Sequence, residues 1–179
     1  MNESQYGRII EEISMDQVHL EKTTWDAIDD ILKLRVTKEQ KGFVAKNSDS
    51  MIDAYFATTE KGKSVFPFGI YSGKKAVGFL MISYDCAWRD NLDFAKNSYS
   101  YYIWRFMIDK RYQRNGYGTA AMKLAIDFVR TFPCGEARHC WLSYEPHNEV
   151  ARKLYLSLGF EEKPELRGED EEMPAVLTL

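Results

Sequence analysis

From Ile108 to Gly118 the chain reads Ile-Asp-Lys-Arg-Tyr-Gln-Arg-Asn-Gly-Tyr-Gly. Three cations, Lys110, Arg111 and Arg114, thus precede two glycines that open a helical pattern. Glycine lets successive backbone N–H groups converge, and a helix N-terminus adds a positive partial charge. The chemistry this suits is the holding of an anion, above all a pyrophosphate. Three readings of the segment compete. A P-loop needs Gly-Lys-Ser/Thr at the helix start, and Gly118-Thr119-Ala120 lacks the lysine. A dinucleotide fingerprint is nominally met by Gly116-x-Gly118-x-x-Ala121, yet Asp109–Asn115 separates it from the strand that should lead straight into it. The third reading is a solvated basic turn. A second chemical candidate is Tyr155, whose phenol can donate a proton or simply pack on an amphipathic helix. Periodicity alone favours packing.

These residues need elements to position them. Val18–Lys22 reads as a short strand; Thr23 or Thr24 then caps a helix with Asp26 in its first turn and Ile28, Ile31, Leu32 and Val36 on one face. Ser48 or Asp49 opens a second helix through Met51, Ile52, Tyr55 and Phe56. Val65–Tyr71 and Ala76–Tyr84 are strands joined by Ser72-Gly73-Lys74-Lys75, a hairpin signal because glycine tolerates positive φ. Ala87–Asn97 reads as a loop and Tyr99–Ile108 as an aromatic strand. A helix follows from Gly116 to Thr131, with Tyr117, Ala121, Leu124, Ala125 and Phe128 on one face and Pro133 and Gly135 ending it. His139–Tyr144 is a strand, and Asn148–Leu158 a helix with Gly159 as its stop. Phe160–Lys163 and Ala175–Leu179 are terminal strands. Neither a repeat nor a linker divides the chain, so residues 1–179 form a single domain of α/β (α+β) class.

Composition narrows the function. The 179 residues are 45% hydrophobic and 28% charged, which excludes a disordered or collagen-like chain. The apolar run Val77–Ile82 is far short of the ~20 residues of a membrane span. The opening MNESQYGRIIEE has no apolar signal core, and Cys86, Cys134 and Cys140 form no C-x-x-C, so a reduced cytoplasmic protein is expected, without membrane partners. A formal net charge of −3 argues against a general nucleic-acid binder. His139-Cys140 with Cys134 is too sparse for a zinc site, so no metal is expected and the thiols read as core or edge groups.

Gln113-x-x-Gly116-x-Gly118 after Tyr-Ile-Trp-Arg-Phe-Met-Ile resembles the acetyl-CoA signature of the GNAT superfamily of N-acetyltransferases. Asn148-x-x-Ala151-x-x-Leu154-Tyr155-x-x-x-Gly159-Phe160 resembles that superfamily's second signature. The resemblance runs from about Val65 to Lys163 and implies a single GNAT-like domain with a mixed, mostly antiparallel sheet flanked by helices. It implies acetyl-CoA as co-substrate. Backbone groups of Phe106, Met107 and Ile108 would hold the acetyl-pantetheine, with an amide at Met107 or Ile108 facing the oxyanion. Amides of Gln113, Arg114, Asn115, Gly116, Tyr117, Gly118 and Thr119 would hold the pyrophosphate, aided by Lys110, Arg111 or Arg114. Where the family often has Arg before the first glycine, this chain has Asn115. Tyr155 would be the general acid for the departing thiolate, and Asn148 would bind cofactor or an ordered water.

The base is unassigned. Family members often place a carboxylate on the central strand, but Tyr101-Tyr102-Ile103-Trp104-Arg105 has none; Glu145 and Glu39 are the candidates on the acceptor side, with His147 behind them. Leu34-x-Val36-x-x-x-Gln40-x-x-Phe43-Val44-Ala45-x-Asn47-x-x-Ser50 and Gly168-Glu169…Val176-x-x-Leu179 resemble bacterial diamine and spermine/spermidine acetyltransferases. Glu161 to Glu172 holds seven acids and two bases, a local charge of −5 that suits a polycation or a solvated face. Other amines (an aminoglycoside, an amino acid, a protein N-terminus), a non-catalytic acyl-CoA-binding module and a nicotinamide enzyme are the alternatives. By the same resemblance a homodimer is possible, paired through Ala175–Leu179.

Overall fold

The computed structural model describes residues 18–60, 62–84, 100–167 and 172–179. Cys86, the expected loop Ala87–Asn97, Tyr99 and the Gly168–Glu169 part of the tail lie outside the described residues. Among the described residues, seven strands form one sheet: β1 (Val18–Lys22), β2 (Ser64–Ser72), β3 (Lys75–Tyr84), β4 (Ser100–Ile108), β5 (His139–Tyr144), β6 (Glu161–Glu162) and β7 (Met173–Thr178). Their order is β1-β2-β3-β4-β5-β7-β6, and every neighbouring pair is antiparallel except β4 and β5. The expected mixed, mostly antiparallel sheet is what forms.

Among the described residues, four helices flank it: α1 (Ile28–Lys33), α2 (Asn47–Thr59), α3 (Tyr117–Arg130) and α4 (Glu149–Ser157). Side chains alternate across a strand, and β3 shows which helices lie on which face. Phe79 and Met81 pack with Ile31, Leu34 and Ala54 of the α1–α2 layer, whereas Leu80 and Ile82 join Ala121, Met122, Ala125 and Val129 of α3. All four β3 residues are fully buried. The parallel β4–β5 pair needs a crossover, and α3 supplies it.

The β2–β3 hairpin turns at Gly73-Lys74, with Ser72 paired to Lys75 and Gly73 at φ 56°. That positive φ at the first turn position is the conformation glycine was expected to supply. Gly78 answers a different constraint. It lies opposite Ile108, where a Cβ would come within 2.5 Å of the Met107 carbonyl oxygen and 2.8 Å of Ile108 Cδ1.

Three local expectations change. The first helix starts at Ile28 without a side-chain cap, since the Thr23 amide still donates to Pro67 O and keeps the chain extended beyond β1. Val36 therefore falls outside the helix. Helix α2 buries Asn47, Ser50, Ala54 and Ala57 and leaves Ile52, Tyr55 and Phe56 exposed. Small residues on the inner face let α2 lie close to α1, where Asn47 Nδ2 donates to Ile31 O at 2.8 Å. Finally, β7 is an interior strand: β5 pairs along its whole length, and β6 covers Ala175 and Val176 from the other side.

The Gly78 contact yields the first prediction. Gly78→Ala pushes a Cβ into backbone of β4 and should destabilise the fold by about 1–3 kcal/mol, read as a lower midpoint in thermal or urea unfolding. An unchanged midpoint would show that β3 and β4 have slack there.

Candidate active site

Among the described residues, the ladder between β4 and β5 contains Ser100–His139, Tyr101–Cys140 and Tyr102–Trp141 and goes no further than Tyr102. Just beyond it β4 has an extra residue: Met81 faces Arg105 and Ile82 faces Ile103, which leaves Trp104 as a bulge. A bulge bends its strand and increases its twist, so β4 continues to Ile108 while β5 runs to Tyr144 with a gap between them. A cavity of about 830 Å³ occupies the gap, lined by Phe106, Met107 and Ile108, by Gly116, Gly118 and Thr119, by Ala151, Leu154 and Tyr155, and by Phe43 to Ala45.

Strand alternation says which backbone groups face it. The Asp109 amide donates to Val77 O on the β3 side, while Ile108 O accepts from Gln113 Nε2. Met107, two residues before Asp109, therefore directs its backbone at β3, and Phe106 and Ile108 direct theirs at the cavity. Of the two amides expected to face an oxyanion, Ile108 has the orientation.

The basic loop is held by Asp109, a carboxylate that is only 1% exposed. It accepts from the Arg35 amide at 2.8 Å, and from the Arg111 amide and Nε at 3.0 and 2.8 Å. Burial pushes its pKa up, but the Arg111 guanidinium and the two amides outweigh it and hold the carboxyl below its ordinary value of 3.8. Arg111 is thereby committed. With Lys110 it borders a separate depression shared with Lys33, Arg35, Lys74 and Lys75, and of the three loop cations only Arg114 lines the main cavity.

Arg114 has φ 63° and Gly116 φ 77°. Left-handed residues interleaved with right-handed ones turn successive N–H groups inward, the concavity that binds anions. Gly116 is the N-cap of α3, whose first turn holds no acid. Asn115 and Tyr117 do not line the cavity: Asn115 Nδ2 donates to Tyr112 O and Gln113 O, stapling the loop, and Tyr117 packs against Tyr112. Gln113 Nε2 also donates to Gln40 Oε1 at 2.8 Å, which ties the loop to the segment after α1.

On the opposite wall Asn148 caps α4 by accepting from the Ala151 amide, and it borders the cavity. Tyr155 is 7% exposed, and burial, followed by the charge of Tyr102, pushes its phenol pKa upward. The neighbouring Tyr144 phenol donates to Glu162, which also receives Arg152 Nε at 2.8 Å and NH2 at 3.1 Å. Glu162 is thus fixed to α4 and is not open to a polycation. Cys140 lies in the core with its thiol pushed by burial to about 12, protonated at neutral pH.

The acceptor candidates fare differently. Glu39 is exposed and Glu145 sits 3.9 Å from His147 Nδ1; neither lines the cavity. Residues that do are Phe43, which meets the His147 ring at 5.1 Å and belongs to the resembled acceptor-side segment, Glu172 at the end of the acidic run, and Arg105 and Ser143, for which local sequence gave no reason. Their signal is long-range sheet order, which no local pattern reveals. Among the described residues, no three His, Cys, Asp or Glu are grouped to hold a metal, and no helix is long and apolar enough to cross a membrane.

Asp109→Asn should cost about 1–3 kcal/mol through weakened charge-assisted hydrogen bonds. A carboxyl whose folded pKa is depressed contributes above its unfolded pKa and loses that contribution as pH falls through the folded value. The stability gap between wild type and variant should therefore narrow below roughly pH 4. A gap that stays constant down to pH 2 would contradict this.

No curated protein matches the sequence. Solved structures match the fold. The PaiA N-acetyltransferase of Thermoplasma acidophilum, in complex with coenzyme A, is 9% identical with a TM-score of 0.61, covering 90% of this chain and 99% of that one. An aminoglycoside acetyltransferase, AAC(6')-Ib, in complex with coenzyme A, is 15% identical with a TM-score of 0.67, covering 90% and 94%. The spermidine N-acetyltransferase of Vibrio cholerae, in complex with CoA and spermine, is 14% identical with a TM-score of 0.63, covering 91% and 96%. Residues 26–160 match the acetyltransferase (GNAT) family itself, a span that holds the split strands, the anion loop and Tyr155. The chain belongs to the GNAT family of acetyltransferases.

Proposed function

We propose that the protein transfers the acetyl group of acetyl-CoA to a primary amine, with a polyamine or diamine as acceptor. One observation carries the reading: a single cavity joins the convergent amides at the start of α3 to the Tyr155 phenol along the open edge of β4. The coenzyme A complexes of the three similar structures support the co-substrate, and the spermine-bound one supports the acceptor class.

Arg114 and the amides from Gly116 to Thr119 would take the pyrophosphate, and the backbone of Phe106 and Ile108 the pantetheine amides. A Cβ on Gly118 would stand 3.8 Å from Ile108 Cγ1 and Leu154 Cδ2 and 3.9 Å from Phe106 Cζ, so glycine there keeps this channel wide. The Ile108 amide would stabilise charge on the carbonyl oxygen as the amine attacks. Tyr155 then gives its proton to the leaving sulfur. Its raised pKa keeps the phenol protonated at neutral pH but makes it a weaker acid than a thiol of pKa ~8.5. The same dry surroundings raise the basicity of a thiolate, which offsets that mismatch.

A second reading rests on Arg105, a residue of the cavity lining whose guanidinium NH2 donates to Asp53 at 3.2 Å. A fixed cation at that wall favours an acceptor that also bears a carboxylate, as an amino acid does. Acetyl-CoA turnover on spermidine, spermine, putrescine and a panel of amino acids separates the two. Rates on the polyamines alone support the first reading, rates on amino acids alone the second, and no polyamine turnover removes the first.

Tyr155→Phe should lower kcat by about 10²–10⁴-fold with little change in the acetyl-CoA KM; an unaltered kcat removes the proton-donor role. Gly118→Ala should do the reverse, raising the acetyl-CoA KM about tenfold or more by narrowing the groove. An unchanged KM would place the co-substrate elsewhere.

A further inference from the structure

We propose that Glu172 is the carboxylate that receives the acceptor's ammonium group and removes its proton; this deepens, and rests on, the amine-acetylation reading above. Sequence left that base unassigned, because β4 has no acid; in the structure the candidates Glu39 and Glu145 do not line the cavity. Among the described residues that line the cavity, Glu172 is the sole carboxylate.

Its position follows from the sheet. Glu172 lies two residues before Pro174, which pairs with Ser143 of β5. Successive side chains alternate between faces, so Glu172, Pro174 and Val176 share a face with Ser143 and Trp141. The packing agrees: Trp141 and Val176 form one small cluster, and Tyr102 of β4 joins it, its ring stacked on Trp141 at 3.9 Å. On that face the Ser143 hydroxyl donates to the Glu172 carboxylate, and the Tyr102 hydroxyl stands 3.5 Å from Ser143 Oγ. A polar row thus crosses β7, β5 and β4 and borders the cavity that Tyr155 also lines. The interior position of β7 is what brings Glu172 there.

An alkylammonium has a pKa near ~10.4 and cannot attack while protonated. In the assigned step Glu172 takes one proton from R–NH3+, giving R–NH2 and a neutral carboxyl group. The nitrogen lone pair forms the C–N bond, the C–S bond breaks, and the sulfur takes the Tyr155 proton. The new amide nitrogen returns its surplus proton to the Tyr155 phenolate, and Glu172 releases its own to solvent. One acetyl group moves and one proton is released per turnover.

The test compares wild type with E172Q, E172D and Ser143→Ala, using acetyl-CoA and two acceptors: the best primary alkylamine, and a hydroxylamine or hydrazide already unprotonated at neutral pH. Calorimetric acetyl-CoA affinity should stay within about twofold in every variant. For the alkylamine, kcat/KM should fall about 10²-fold or more in E172Q, recover partly in E172D and fall less in Ser143→Ala. For the weakly basic acceptor the E172Q loss should be under about tenfold. Equal losses on both acceptors, or E172Q at the wild-type rate, would overturn the assignment while leaving amine acetylation standing. If E172Q fails to fold, Ser143→Ala decides: a loss confined to the alkylamine supports the base, and no loss overturns it. A wild type that binds no acetyl-CoA, or acetylates no primary amine, instead overturns the reading beneath it.

Discussion

One extra residue governs the site. With Trp104 bulged out of the β3–β4 ladder, β4 can stay hydrogen-bonded to β3 while it turns away from β5. The parallel pairing stops at Tyr102, and the outer edge of β4 opens into a cavity where another strand would ordinarily lie. Exposed strand edges usually invite unwanted pairing between chains. Here the open edge is enclosed by α3, α4 and the Phe43 segment, so what pairs with it must be small and thin enough to enter. A chain of alternating amide and methylene groups meets that description, and backbone pairing of this kind is how sheets commonly take up extended ligands.

The anion loop shows why the overall charge of −3 says little about binding. Of its three cations, Arg111 is spent on a buried carboxylate and Lys110 stands at a different surface. Under the proposed function, much of the attraction for phosphate would therefore come from backbone dipoles, oriented by the left-handed geometry at Arg114 and Gly116. Asp109 binds both ends of that arrangement: it holds Arg111 within the loop and Arg35 after α1. A non-glycine residue at positive φ is costly, and here the cost is borne by a loop whose two sides are already clamped by Asp109 and Gln113.

Much of this was legible in the sequence, and what was not has a common cause. The strands at Val18–Lys22 and His139–Tyr144, the glycine hairpin and the helix capped at Asn148 follow from local pattern, which period and turn chemistry record. Gly116, Gly118 and Tyr155 stood out in the sequence because two motifs sat on elements that suit them, and all three line the same cavity. Sheet order was hidden, since β7 inserts between β5 and β6 through pairings far apart in the chain. The bulge at Trp104 was hidden too, for an aromatic strand reads the same with or without an extra residue. Helix α2 misled in the opposite sense: its large apolar residues suggested a buried face, yet tertiary packing chose the face of Asn47, Ser50, Ala54 and Ala57.

The strand order also bears on how the molecule is made. β6 leaves the ribosome before β7 but occupies the sheet edge outside it, with β7 as its sheet partner. The layer from β1 to β5 can assemble as it emerges, whereas β6 has no place to settle until the next strand arrives. The wall of the cavity carrying Glu172 is thus the last part to be synthesised. A nascent chain halted before β7 would have its basic loop and Tyr155 already synthesised, with Glu172 and its strand still missing.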